Sequence, residues 1–156
     1  MRQILIAALA LTLSACGFTP LYATNTTSSA GLVQIEQISG RSGHILRKNL
    51  LMELAPGLPG IDGPASLTIE LEEDLVSLAL KPDEAATRTD IITSAKYVLV
   101  YADTALSGES EAETSFLVPD AAYSDLTAQV DASERAMSLL ARRIADDLRI
   151  QLAKND

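Results

Sequence analysis

The chain has 156 residues and a formal charge of −9 at pH 7, with 47% apolar residues, no Trp, one His and one Cys. That length suits one ordinary domain plus a targeting sequence. The acidic balance excludes a binder of nucleic-acid backbone, which needs clustered Lys and Arg, and the single Cys excludes an internal disulfide. One His without a thiol partner excludes the common zinc and thiol-nucleophile arrangements, so no metal and no cofactor is expected.

Met1-Arg2 gives a short positive start, followed by an apolar run from Ile4 to Leu13. A spanning helix needs about 20 apolar residues, so this run reads as a signal peptide rather than a permanent anchor. It ends in Leu13-Ser14-Ala15-Cys16, the lipobox pattern of bacterial lipoproteins. The small residues fit a peptidase cleft, and the Cys16 thiol is the nucleophile that takes up diacylglycerol. Residues 1–15 are therefore read as cleaved and Cys16 as the lipidation site. Without Arg2 the mature chain has 11 basic and 21 acidic side chains, a charge near −10. An Asp after the lipidated cysteine favours inner-membrane retention; Gly17 stands there instead and leans toward the outer membrane.

Residues 16–31 read as a lipidated N-terminus and flexible tether, since Thr24 to Gly31 is small, polar and without periodicity. Such a coil spans roughly 20–25 Å, which keeps the domain close to the membrane. Phe18-Thr19-Pro20-Leu21-Tyr22 is more apolar than a plain tether. It suits a bilayer interface, a membrane partner or a short N-terminal strand.

Residues 32–156 form the single domain. Leu32 to Ile38 is rich in β-formers and reads as a strand. Ser39 is placed to cap a helix over Gly40 to Ala55, stopped by Pro56-Gly57, with Leu46, Leu50, Leu51 and Leu54 as its apolar stripe. Leu67, Ile69 and Leu71 alternate with polar residues in a strand that continues toward Leu80, and Lys81-Pro82-Asp83-Glu84 turns the chain. Thr87 to Asp103 is the strongest strand, with Ile91, Thr93, Ala95, Tyr97, Leu99 and Tyr101 on one face. Ser107-Gly108 is expected to make a hairpin turn into a strand from Glu109 to Val118. A long helical pattern from Tyr123 to Lys154 carries Val130, Met137, Leu140, Ile144, Leu148 and Leu152, while Asp131-Ala132-Ser133-Glu134 resembles a capping box at which a helix could start or restart. The order β-α-β-β-β-α gives two helices to cover one face of a small sheet.

Catalytic equipment is sparse. Glu72-Glu73-Asp74 is the densest acid cluster, but alternation sends only Glu72 and Asp74 to one face, which suits a solvated strand. His44 has no second ligand nearby and reads as a surface histidine. Gly-x-Ser-x-Gly elbows and phosphate-cradling glycine loops are absent from the sequence, and no enzyme is expected. Arg88 and Lys96 fall on one face of a strand, roughly 26 Å apart, beside Ser94. They are the candidate contacts for anionic ligand groups; the alternative is that they merely solubilise a strand.

Cys16-Gly17-Phe18-Thr19-Pro20-Leu21-Tyr22 resembles the start of the mature chain in the LPS-assembly lipoprotein family, LptE, in its alphaproteobacterial form. Looser similarities follow in Gly40-Arg41-Ser42-Gly43, in Leu46-Arg47-Lys48-Asn49-Leu50, in Thr87-Arg88 before the strand holding Tyr97, and in Asp131-Ala132 to Arg135. The resemblance implies an α+β two-layer sandwich, a small mixed sheet of about four strands covered on one face by two helices. It implies a non-enzymatic plug for the outer-membrane β-barrel LptD that supports barrel assembly and lipopolysaccharide delivery. Lipopolysaccharide is then a candidate ligand for Arg88 and Lys96, against which the acidity of the chain counts. The competing expectation is an auxiliary lipoprotein of an ABC-type lipid transporter.

The lipobox generates the first test: Cys16→Ala is expected to accumulate as unlipidated precursor and to miss the outer membrane. Radiolabelled palmitate in the variant would refute the assignment.

Overall fold

The computed structural model describes residues 33–80, 86–118 and 122–155. The signal peptide, Cys16, the tether and the Lys81-Pro82-Asp83-Glu84 turn lie outside the described residues. The elements are β1 (Val33–Ile35), α1 (Gly40–Glu53), β2 (Ala65–Leu80), β3 (Ala86–Tyr101), β4 (Thr104–Leu117) and α2 (Ala122–Asn155). The four strands form one sheet in the order β1-β2-β3-β4, with β1 parallel to β2 and the other pairs antiparallel. The sheet is mixed and the helices cover one of its faces, the two-layer α+β arrangement expected.

Strand alternation decides which residues enter the core. Ala65, Leu67 and Ile69 of β2 and Ile91, Thr93, Ala95, Tyr97 and Leu99 of β3 are buried beneath the helices. Along the middle of β4 the inward positions are small: Gly108, Ser110, Ala112 and Thr114 stand opposite Tyr97, Ala95, Thr93 and Ile91. α2 answers with Ala132, Ala136, Ala141 and Ala145 among its buried residues, interleaved with Met137, Leu140, Ile144 and Leu148. Small side chains on both surfaces let the helix lie close to the sheet at interior packing density. Thr114 Oγ1 donates to the Ala132 carbonyl at 3.0 Å, and the Arg143 guanidinium donates to the Glu111 carbonyl, tying helix to strand. At about 1.5 Å per residue, α2 is roughly 50 Å long and runs the length of the sheet.

α1 begins after Ser39, whose backbone is extended as an N-cap requires but whose side chain makes no capping hydrogen bond. Its start is fixed instead by packing. A Cβ on Gly43 would stand 2.7 Å from Ile38 Cγ2 and 2.9 Å from the Ile38 carbonyl carbon, so only glycine lets the first turn fold over Ile38. Leu46, Leu50 and Leu54 are buried as expected, whereas Leu51 is 44% exposed. One residue beyond Leu50 is a rotation of about 100°, which carries Leu51 off the buried face.

Two expectations are corrected. β3 and β4 are joined at Ala102-Asp103, with Tyr101 paired to Thr104, and not at Ser107-Gly108. Ala102 takes the positive φ (46°) that a two-residue hairpin demands and that glycine usually supplies. The second correction concerns the apparent capping box, because α2 runs unbroken through residues 131–134. Ser133 Oγ donates to Glu73 at 2.6 Å, and Glu134 accepts from Arg41 at 3.0 Å. Those side chains join α2 to β2 and α1 rather than ending a helix.

Gly108 serves the core. A Cβ there would lie 2.5 Å from Tyr97 Cζ and 3.0 Å from Gln151 Nε2. Its absence opens the gap through which the Tyr97 ring crosses β4, and the hydroxyl then donates to Asp147 of α2. Gly108→Ala is therefore expected to destabilise the mature protein by about 2–3 kcal/mol, through overpacking and loss of the Tyr97–Asp147 hydrogen bond. A urea unfolding curve checks this; an unchanged midpoint would show that the ring has room to move.

Candidate functional site

The second face of the sheet is covered by no element among the described residues. Its composition follows from strand register. On β2 it presents Glu70, Glu72 and Asp74, and on β4 Glu109, Glu111 and Glu113, all six exposed. Between them runs β3: Lys96 stands opposite Glu70 and Glu109, Ser94 opposite Glu72 and Glu111, and Ile92 opposite Asp74 and Glu113. Two acidic rows thus flank a mixed central strand. Cross-strand neighbours on one face have Cβ atoms about 5 Å apart, so Lys96 sits within reach of a carboxylate on either side.

Arg88 and Lys96 do share this face. Arg88 Nε donates to Asp90 Oδ1 at 3.0 Å, and the Asp90 side chain is almost wholly buried while that of Arg88 is half exposed. Arg88 is therefore paired within its own strand, and Lys96 is exposed with carboxylates on both neighbouring strands. With Asp90 the face carries seven acids against these two bases. An anionic phosphate approaching it meets net negative charge, screened only beyond about 8 Å at physiological salt. Sequence spacing placed the two cations correctly on one face. It could not show the acids brought alongside from β2 and β4.

Elsewhere the polar clusters hold the fold together. Glu73 points the other way from Glu72 and Asp74 and accepts from Ser42 Oγ at 2.5 Å and Ser133 Oγ at 2.6 Å. This ties α1, β2 and α2 at one point; two hydroxyls donating to one carboxylate, with no His in the cluster, make a structural clasp rather than an activated nucleophile. Tyr97 donates to Asp147, and Gln151 Nε2 donates to Tyr97 Oη at 3.2 Å and Asp147 Oδ2 at 3.0 Å. Burial first, then the Asp147 carboxylate, hold the Tyr97 hydroxyl protonated far above the ordinary phenol range. His44 is exposed on α1. Among the described residues no group of three His, Cys, Asp or Glu side chains could hold a metal ion, and no helix is long and apolar enough to cross a membrane. A pocket of about 310 Å³ between residues 60–64 and the β3–β4 turn is lined by Gly60, Ile61, Asp62, Gly63, Pro64, Tyr101 and Ala102, without a catalytic constellation.

No protein-family model and no curated protein matches the chain. Solved structures do. A protein described as a lipoprotein from Caulobacter crescentus CB15 is similar with a TM-score of 0.63 and 26% identity over 83% of this chain and 96% of that one. Rare lipoprotein B from Shewanella oneidensis has a TM-score of 0.52 and 11% identity, covering 79% of this chain and 92% of its own. A minor lipoprotein from Acinetobacter baumannii has a TM-score of 0.53 and 11% identity, covering 76% and 92%. The fold is thus one that Gram-negative lipoproteins share, and the similarity spans nearly the whole of each neighbour.

The flanked position of Lys96 is testable. Lys96→Glu turns two attractive cross-strand pairs into repulsive ones, each worth about 0.2–1 kcal/mol, so a loss of about 1–2 kcal/mol is expected. Lys96→Gln should fall between, and 0.5 M NaCl should narrow the difference. Equal unfolding midpoints for all three proteins would show that the flanking carboxylates do not reach Lys96.

Proposed function

We propose that this chain is an outer-membrane lipoprotein, anchored through Cys16, that plugs an LptD-type β-barrel and supports its assembly in lipopolysaccharide transport. The observation that carries the reading is a lipobox followed by a two-layer domain of the kind found in solved Gram-negative lipoproteins. One of those neighbours is named rare lipoprotein B, and the Cys16 to Tyr22 segment resembles the LPS-assembly lipoprotein family. A plug needs no reaction centre; it needs a rigid body, a tether and surfaces to place against a wall. The described residues supply a core with no buried polar side-chain atom left unpartnered. The sheet adds a face without a partner among the described residues, and the lipid keeps the domain at high effective concentration near the membrane.

Within this role the protein is not an enzyme, and lipopolysaccharide contact is secondary to the barrel. Exposed ion pairs are typically worth about 0–1 kcal/mol each, too little for Arg88 and Lys96 to overcome the surrounding acids. The domain works in the periplasm or within the barrel lumen.

Affinity purification of the tagged full-length protein from outer membranes, followed by mass spectrometry, tests the proposal. A large β-barrel is expected at stoichiometric yield. Recovery of an ABC-type transporter complex instead, with no barrel, would replace this function with that of a transporter accessory.

A further inference from the structure

We infer that the open face of the sheet docks on a protein surface that is itself built of β-strands and presents Arg and Lys on alternate positions. The inference deepens the plug function and rests on it in taking the inner wall of the barrel as that surface. Three features of the face select such an occupant. The first is its charge: Glu70, Glu72 and Asp74 form one row and Glu109, Glu111 and Glu113 another, with Lys96 the sole cation between the rows. A second copy of this chain or an anionic lipid surface would bring like charge against like, which disfavours wrong partners strongly.

The second feature is spacing. Alternate residues along an antiparallel strand lie about 6.8 Å apart, and rows two strands apart are separated by about 9.6 Å. A facing β-sheet reproduces that lattice, because its side chains alternate with the same period and its strands have the same separation. A helix, with its period of 3.6 residues, matches it over one turn at most. In a barrel every second residue of every strand points into the lumen, so one wall can offer cations at the required pitch.

The third feature is apolar. Beyond the acidic rows, at the end of the face nearest the β3–β4 turn, Val98 and Val100 remain 40% and 46% exposed, next to the exposed Ala105. At the opposite end Val76 and Leu117 are exposed as well. Branched apolar side chains at both ends of a charged field give contact area that water does not reward, whereas the charged centre fixes register. An unpartnered sheet face that is merely solvated gains nothing from keeping them.

The test uses the full lipidated chain in cells. Glu72→Lys, Glu111→Lys and Glu113→Lys together cancel the summed charge of the two rows without touching the direct neighbours of Lys96. Asp62→Lys, Asp131→Lys and Asp146→Lys make the same change in net charge on exposed sites away from the face. Thermal unfolding of both purified proteins in detergent is expected to match wild type, which shows that any loss is one of docking. Barrel recovery should fall at least tenfold for the face variant and less than twofold for the other. In parallel, a photo-crosslinking amino acid at Val98 should capture a protein segment with Arg or Lys on alternate positions, and one at the exposed Met52 of α1 should not.

Full barrel recovery by the face variant would overturn the inference and leave the plug function standing. A Val98 adduct consisting only of lipid would overturn it too. If the wild type recovers no barrel, yet Val98 captures an Arg- or Lys-bearing strand of another protein, the docking face stands and the barrel reading falls.

Discussion

The close approach of α2 to β3 and β4 is the constraint on which the rest of the molecule depends. It requires small residues on both sides, and both sides have them: Gly108, Ser110 and Ala112 on the strand, Ala132, Ala136, Ala141 and Ala145 on the helix. Into this thin interface a single large side chain is threaded. Tyr97 passes over Gly108 to reach Asp147 and Gln151, so one ring fixes the position of the helix along the sheet. A protein with so few aromatic residues and no disulfide among its described residues gains uniqueness from this contact rather than from bulk.

Fixing the helices on one side has a consequence for the other. With α1 and α2 both committed to the same face, the opposite face has no partner among the described residues, and what the strands carry there stands as an ordered array. The clasp of Ser42 and Ser133 on Glu73 shows how sharply alternation divides the sheet. Of three consecutive acids, the middle one is a structural joint and the outer two belong to the outward array. The same division places Arg88 and Lys96 outside while surrounding them with carboxylates. A cation pair that looks available along one strand is thereby absorbed into a surface of opposite sign.

Two observations bear on the class of protein: the sequence carries a lipobox pattern, and the fold is one shared with solved lipoproteins. Under the proposed docking, the acidic face is the feature that sets which wall the domain can lie against.

Periodicity alone determined the element order, the inward face of β3, the stripe of α2 and most of α1, because local alternation is a property of the chain itself. The lipobox is a contiguous pattern too, and its reading rests on the sequence alone. What the sequence could not decide depends on residues far apart in the chain. Ser107-Gly108 looks like a turn because glycine usually marks one, yet Gly108 is there to clear space for a ring eleven positions earlier. Asp131 to Glu134 looks like a helix start because Ser and Glu at that spacing satisfy free amides; with the helix continuous, Ser133 and Glu134 are released to bind Glu73 and Arg41. Arg88 and Lys96 look like a phosphate site until the register of β2 and β4 sets acids beside them. In each case a local motif has two physical uses, and only the tertiary neighbours, by supplying or withholding a partner, select between them.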